Sequence, residues 1–513
     1  MRSDGLMWHQ LLKLSADSTQ SLQAQLRGNL VSAILDGHIP LDIPLPSSRE
    51  LAKQLGIARN TVVLAYQHLI DENYLISEER RGYFVNPEIL SGRVHSNGRE
   101  LQQDAEYQPG PNEPEWSEKI RVGSSSGVDL DHQRNITRPL DWHDYDFPFI
   151  YGQIDPELFP INDWRESCRL SLHVSAIREW SVDRVDHDDE LLVEQIVNRI
   201  LPRRGVWATP DQLLVTTGAQ NALFLLAQLL LDDQSRVGME HPCYADARNV
   251  FSLFTNKQEF FPVTDAGVQI NEKVNDCDLL YVTPSHQCPT TTTLPLEKRQ
   301  ELLDAAVEHD FLVIEDDYES ELNFVGEPTP ALKSLDDNGR VIYVGSLSKT
   351  LAPGLRIGYM VASPELIRRA RQLRRLMYRH PPSNVQRTVG HFVALGHHDS
   401  IMLKLARVFK NRWRIMDTAL SDHLSMSSKA PAFGGSSFWV ALPPELKSAE
   451  LELLARQQGI VINSGDSYFA SETNPGNFFR LGFSSIADEK IEPGIRALSD
   501  VVSQLASSSR QNG

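Results

Sequence analysis

The sequence is poor in cysteine, has no long apolar run and carries no excess of positive charge, and each shortage removes a class of protein from consideration. Its four cysteines, Cys168, Cys243, Cys277 and Cys288, form no CxxC pair and have no histidines at zinc-finger spacing. Neither a disulfide scaffold nor a metal site is expected, and the thiols read as reduced. The most apolar stretch, Leu223 to Leu231, is interrupted by Gln228 and falls well short of the roughly 18 residues that cross a bilayer. No basic-then-apolar pattern opens the chain, so an unexported, cytoplasmic protein is expected. A formal net charge of −18 argues against a general attraction to nucleic acid, yet the total hides its distribution. Residues 1–85 hold eight Lys and Arg against nine Asp and Glu. That stretch is close to neutral, and any DNA contact within it must rest on individually placed arginines.

What is present suffices for more than one domain, since 513 residues with 41% hydrophobic content exceed one ordinary core. Leu22, Leu26, Leu30, Ile34 and Leu35 recur at helical spacing. Ser47 and Ser48 precede the short helical run Arg49 to Leu55, which Gly56 closes, and a second helix is expected from Asn60 to Asp71. Tyr74-Leu75-Ile76 and Tyr83-Phe84-Val85 flank a polar turn and make a small hairpin. Helix, turn, helix, hairpin is the order of a winged helix-turn-helix. From Asn86 to about Leu140 the composition turns to Pro, Gly, Ser and charge, with PGPNEPE at 109–115 and GSSSG at 123–127, as in a flexible linker. Beyond it, apolar runs at 213–215, 279–282, 311–314 and 341–344 alternate with helical segments, which indicates a mostly parallel α/β sheet. The expected division is a DNA-binding domain over 1–86, a linker over 87–140 and an α/β domain over 141–513.

The second short helix is the candidate recognition helix. Arg59, Asn60 and Thr61 stand at its N-terminal end, while Val62, Ala65, Tyr66 and Leu69 form an inner face. Guanidinium and short polar groups so placed reach phosphates and base edges in a major groove. Arg49 opens the preceding helix, and Arg80 and Arg81 sit at the hairpin tip, where a wing would enter the adjacent groove. Residues 45–76, LPSSRELAKQLGIARNTVVLAYQHLIDENYLI, closely resemble the GntR family of bacterial winged-helix regulators. The resemblance implies DNA contact by Arg49, Arg59, Asn60 and Thr61. The wing, Glu79-Arg80-Arg81-Gly82-Tyr83, departs from that family's small Gly-Ser-Gly-Thr pattern, so Arg80 and Arg81 rest on their place at the tip.

Four stretches of the second domain make chemical sense together. Thr216-Thr217-Gly218-Ala219-Gln220 follows a strand and opens a helix expected from Asn221 to Leu231, where backbone N–H groups bind phosphate. Ile314-Glu315-Asp316-Asp317-Tyr318 ends a strand with carboxylates, which pair with a protonated pyridine nitrogen, and a phenol. In the run Gly345 to Arg356, Lys349 stands in a crowded loop after a strand. Desolvation there makes its amine nucleophilic toward an aldehyde, while Ser346, Ser348 and Arg356 suit a phosphate. Arg480 lies within the apolar run Phe478 to Phe483 and needs an anionic partner, either an internal carboxylate or that of a substrate.

Over about residues 141–513 these motifs resemble the fold-type I aminotransferases, which depend on pyridoxal 5'-phosphate (PLP). Their fusion to a GntR-like N-terminus resembles the MocR/GabR subfamily of transcriptional regulators. The resemblance implies a fold-type I aminotransferase-like α/β domain behind an α+β winged helix-turn-helix domain. It implies that Lys349 forms the Schiff base with PLP, Asp316 pairs with the pyridine nitrogen, Tyr318 neighbours the ring hydroxyl and Arg480 clamps a carboxylate. Gly218, Ala219, Gln220, Ser346, Ser348 and Arg356 would hold the phosphate, and Tyr244 would cover the ring. Thr283-Pro284-Ser285-His286-Gln287 matches the family's loop beside the cofactor. There are departures: Thr291 where relatives carry Gly, Cys288 in place of an Asn, and Asp246 where a GABA-responsive relative has a second arginine. The segment Ser181 to Glu190 also lacks the Tyr-x-Asp-Pro-x-Gly pattern of a cross-subunit phosphate contact.

The implied function is a homodimeric regulator of operator DNA, with head-to-tail docking of each winged helix on the partner's PLP domain within reach of the linker. An amino-group effector, or PLP itself, would change the state at Lys349 and with it the grip on paired half-sites. A working aminotransferase with a DNA-binding arm would use the same groups, and only turnover separates the two. A scaffold without cofactor conflicts with four motifs occurring together. Arg368, Arg371, Arg375 and Arg379 line one helix face, with Arg369 and Arg374 beside them. They form either a solvated or intersubunit face or a basic strip facing DNA that flanks the operator.

Overall fold

The computed structural model describes residues 8–15, 18, 20–90, 133–319, 323, 329–347, 351–424, 428–429, 434–470 and 474–511. The chain divides into two compact units, Met1–Pro114 and Glu115–Gly513. In the first, α1 (Trp8–Leu11), α2 (Leu22–Leu35), α3 (Ser48–Leu55) and α4 (Arg59–Asp71) precede the hairpin of β1 (Leu75–Glu78) and β2 (Gly82–Val85). Serines set the helix starts. Ser21 Oγ accepts from Ala24 N and Ser47 Oγ from Glu50 N, both at 3.2 Å, which satisfies N–H groups that a first turn leaves open. Gly56 closes α3 at φ +65°, a left-handed conformation glycine adopts without steric cost, and so allows the short turn into α4. Leu26, Leu30 and Ile34 meet Leu51, Val62, Ala65, Tyr66 and Leu69 in one core. The hairpin is longer than the sequence indicates: Glu78 still pairs with Gly82, leaving Arg80 at the tip with φ +63°.

The second unit holds β3 (Phe147–Pro148), paired in parallel with Ile460–Val461, and a large sheet. That sheet takes β4 (Leu213–Thr216), β5 (Val237–His241), β6 (Gln258–Thr264), β7 (Gly267–Val268), β8 (Leu279–Val282), β9 (Leu312–Asp316), β10 (Val341–Ser346) and β11 (Gly358–Val361). Its eight strands lie in the order β4-β11-β10-β9-β8-β5-β6-β7. From β10 to β6 they run parallel, and β11 is antiparallel to both neighbours, so the sheet is mostly parallel as expected. Both faces are covered. Leu214, Ile342 and Met360 pack under Leu223 and Ile367, while Leu213, Tyr343 and Tyr359 face another core with Val389 and Phe392. Burial on both faces is why these strands read as unbroken apolar runs. A four-stranded sheet follows, with Ser437–Ala441 beside Phe478–Gly482.

The last residues of the expected linker depart from a free coil. Ile136 packs against an aromatic cluster containing Tyr151, Tyr318, Trp439 and Tyr468. Asn249 Nδ2 donates to Asn135 Oδ1 at 2.9 Å, and Asn463 Nδ2 to Thr137 O at 3.4 Å. Among the described residues no helix is long and apolar enough to cross a membrane.

Candidate functional site

In the first unit Arg49, Arg59 and Asn60 are exposed and Thr61 is half-buried. They stand at the starts of α3 and α4, which Arg59 Nε links by donating to Ser48 Oγ at 3.4 Å. Ala58 gives α4 no side-chain cap, so no side-chain oxygen of that residue competes for the first N–H groups. Both tip arginines are exposed but not equivalent, since Arg81 also pairs with Glu78 and lies 5.1 Å from the Phe84 ring centre.

In the second unit a cavity of about 230 Å³ opens at the carboxyl ends of β9 and β10, where open α/β sheets bind ligands. Ala219 and Gln220 line it from a helix start, Asp316 and Tyr318 from the end of β9, and Ser346 from the end of β10, with Tyr244 and Arg356 beside them. The helix begins at Ala219 rather than Asn221, which brings its first turn to the cavity wall. Gly218 has φ +85°, and a Cβ there would come within 2.9 Å of Arg356 Nη2, which donates to Thr217 O at 3.1 Å. The missing side chain keeps helix start and guanidinium adjacent, a cradle for a phosphate. Ser348 and Lys349 lie outside the described residues.

The acids after Ile314 separate because a strand turns successive side chains to opposite faces. Glu315 accepts from the Leu332 and Lys333 backbone N–H groups at 2.7 Å. Asp317 accepts from Arg204 Nε at 2.9 Å and Tyr343 OH at 2.8 Å. Asp316 accepts from Tyr281 OH at 2.8 Å and is the one that lines the cavity. The Tyr318 hydroxyl is buried without a hydrogen-bond partner among the described residues. Burial pushes it well above the ordinary phenol range, so it remains an O–H donor. Tyr244 OH donates to Asp246 Oδ2 at 2.9 Å. A phosphate cradle, a buried carboxylate and an orphaned phenol on one cavity wall fit PLP.

Arg480 is fully buried. Its Nε donates to Ser437 Oγ at 2.8 Å and Nη1 to Tyr468 OH at 3.3 Å, while its guanidinium carbon lies 3.4 Å from the Tyr151 ring centre. Nη2 has no partner among the described residues, and the internal ion pair weighed from the sequence is absent among them. Tyr151, rather than Arg480, faces the cavity. Sequence reasoning missed Tyr151, which carries no motif and lies far along the chain from the arginine it covers.

The departures from the family pattern have structural answers. Thr291 takes φ +63°, the left-handed region that a glycine occupies freely, and its N–H reaches Gln287 O at 2.6 Å. Cys288 lines the cavity, and burial pushes its thiol up to about 11. Thr283 Oγ1 and Gln287 Nε2 donate to the buried Glu240 at 2.6 and 3.2 Å, so these loop residues brace the end of β5. Asp188, within the segment lacking its pattern, pairs with Arg374 at 2.7 Å and Arg371 at 2.8 Å. On the helix Pro364–Tyr378, Arg371 and Arg374 are thus turned inward to Asp188, while the exposed Arg368 and Arg369 share Glu365 and Arg375 pairs with Asp186. Arg379, just beyond it, pairs with Asp183.

Fold and cavity together define an aminotransferase-like, PLP-binding domain on a chain that begins with a winged helix. Residues 22–85 match the family described as bacterial regulatory proteins, gntR family, and residues 189–498 match aminotransferase class I and II. The chain is 39% identical over 475 residues to the HTH-type transcriptional regulator TauR of Rhodobacter capsulatus, covering 93% of this chain and 95% of that one. It is 28% identical to the probable rhizopine catabolism regulatory protein MocR of Rhizobium meliloti, over 97% of each. The solved structure of LysN, the alpha-aminoadipate aminotransferase of Thermus thermophilus complexed with N-(5'-phosphopyridoxyl)-L-leucine, matches with TM-score 0.67. That match has 26% identity and covers 76% of this chain and 99% of that one. The chain belongs to the MocR-type transcriptional regulators of the GntR family, DNA-binding proteins with a PLP-binding, aminotransferase-like domain.

Proposed function

We propose that this regulator is a cytoplasmic homodimer whose aminotransferase-like cavity senses an amino-group metabolite and couples its presence to operator binding. Arg480, buried directly behind the cavity-lining Tyr151 with Nη2 unpartnered among the described residues, carries the reading. A buried guanidinium with one unpartnered nitrogen costs several kcal/mol unless an anion arrives, and a ligand carboxylate suits its two-pronged geometry. That also favours an amino acid-like effector over PLP as the signal, since PLP brings no carboxylate.

PLP, when bound, supplies an aldehyde that condenses with amines and a ring that withdraws electrons. In this reading Lys349 is the attachment amine. Asp316, oriented by Tyr281, holds a proton at the pyridine nitrogen, and Tyr318 donates its buried phenol to the ring hydroxyl. Gly218, Ala219, Gln220, Ser346, Ser348 and Arg356 bind the phosphate, while Tyr244, held by Asp246, covers the ring and excludes water. Arg49, Arg59, Asn60 and Thr61 meet the major groove, and Arg80 and Arg81 enter the adjacent one from the wing. Coupling between the sites is reciprocal, so operator DNA changes effector affinity by the same factor as effector changes operator affinity.

The test is a visible absorbance spectrum of the protein with added PLP, wild type beside Lys349→Ala, titrated with amines and amino acids and followed by operator binding. A Lys349-dependent band that one compound shifts, together with a change in operator affinity, is the expected result. No such band would overturn the reading. Steady turnover with a keto acid at about 1 per second or more would make the chain an enzyme instead.

A further inference from the structure

We propose that Arg138, carried into the cavity by the end of the interdomain segment, is a second anion-reading residue of the effector site and selects amino compounds with an acidic group remote from the reacting amine. This rests on the reading of the cavity as an effector site. Ile136 and Arg138 line the cavity while Thr137 between them does not, the alternation of an extended chain. The segment is fixed from several sides. Ile136 sits in the aromatic cluster, Asn463 Nδ2 donates to Thr137 O at 3.4 Å, and Asn249 Nδ2 donates to Arg134 O at 3.3 Å and Asn135 Oδ1 at 2.9 Å. Arg138 is therefore placed rather than trailing.

The Arg138 side chain is half-buried, and its Nε is shielded from solvent with no hydrogen-bond partner among the described residues. The cavity's own acids are otherwise engaged, Asp246 by Tyr244 and Asp316 by Tyr281. Burial pushes the Tyr468 phenol up while the guanidiniums of Arg480 and Arg138 pull it down, so one phenol stands in the field of both cations. A shielded, unpartnered N–H on a charged group gains more from an anionic acceptor than from a neutral one. Among the residues that line the cavity, Arg138 and Arg356 are the cations, and Arg356 stands at the helix start against Thr217 O.

The experiment titrates the visible band of the PLP-loaded, full-length protein with matched pairs, L-glutamate against L-glutamine and β-alanine against β-alaninamide, in wild type, Arg138→Gln and Arg138→Lys. Wild type should bind the acidic member of at least one pair about tenfold or more tightly. Arg138→Gln should lower that ratio about tenfold while leaving the neutral member unchanged, and Arg138→Lys should keep part of it. An unchanged ratio in Arg138→Gln overturns the proposal, as does an equal loss of both members, which would mark a purely structural role. A wild type that responds to neither acidic member overturns it too. Failure of the cavity reading is distinguishable, because it shows as a missing Lys349-dependent band in the wild type.

Discussion

Arginine is put to opposite uses in the two units. In the first, the described ion pairs are Arg27 with Glu72 and Arg81 with Glu78, and Arg49, Arg59 and Arg80 stand exposed. In the second, arginines are held against acids, sometimes two to one carboxylate. Arg371 and Arg374 meet Asp188, Arg204 meets Asp317, and Arg412 meets Asp155 and Asp488. Helix α4 has fewer arginines than the helix Pro364–Tyr378, yet Arg59 at its start is exposed and in none of the described ion pairs. Counting cations along a helix therefore misleads. Whether an arginine's charge is available depends on which acids lie near it in space.

The sharpest way to break this comparison is Asp188→Ala, which leaves Arg374 buried without its partner. Stability should fall by about 3–5 kcal/mol in urea unfolding, while operator affinity per folded molecule stays unchanged. Arg59→Ala should do the reverse. Fluorescence anisotropy at fixed salt should show operator affinity lower by about 5- to 150-fold, with unfolding free energy within about 0.5 kcal/mol of wild type. A stability loss as large as that of Asp188→Ala would erase the distinction.

A smaller effect concerns acid. Hydrogen bonds from Arg379 hold Asp183 below its ordinary 3.8, and those from Arg368 and Arg369 hold Glu365 below its ordinary 4.5. Lowered folded pKa values mean stability that is fully present above the ordinary values and lost as pH falls through the folded ones. Thermal melts of wild type should therefore decline below about pH 4.5, and Asp183→Asn with Glu365→Gln should flatten that limb. If the limb is unchanged, these pairs contribute nothing. Smallest of all, Arg368→Gln with Arg369→Gln should move neither stability, beyond about 0.5 kcal/mol, nor operator affinity. A tenfold loss of affinity would restore the basic strip as a DNA contact.

Much of the fold was legible because its signals are local. The inner face Val62, Ala65, Tyr66 and Leu69 follows from a period of about 3.6, and Leu279–Val282 from an apolar run bounded by polar residues. The meeting of Asp316, Tyr318, Ser346 and Arg356 was legible through motifs that follow strands. What escaped was long-range. Asp188 and Arg374 are separated by most of two hundred residues, and no spacing marks either. Tyr151 against Arg480, and Arg138 in the cavity, depend on where the chain entering the second unit lies against strands made near its end. A linker composition says nothing of which residues it finally sets down.

The contacts of that entering chain also fix an order of events in time. The described pairings of the winged helix close within the first 90 residues, whereas β3 waits for Ile460–Val461 and Thr137 for Asn463. At translation rates of about 5–20 residues per second, a ribosome needs roughly 20 to 75 s to make the intervening chain. Throughout that interval the nascent polypeptide carries every residue of the winged helix while the partners of β3 and Thr137 are still unmade.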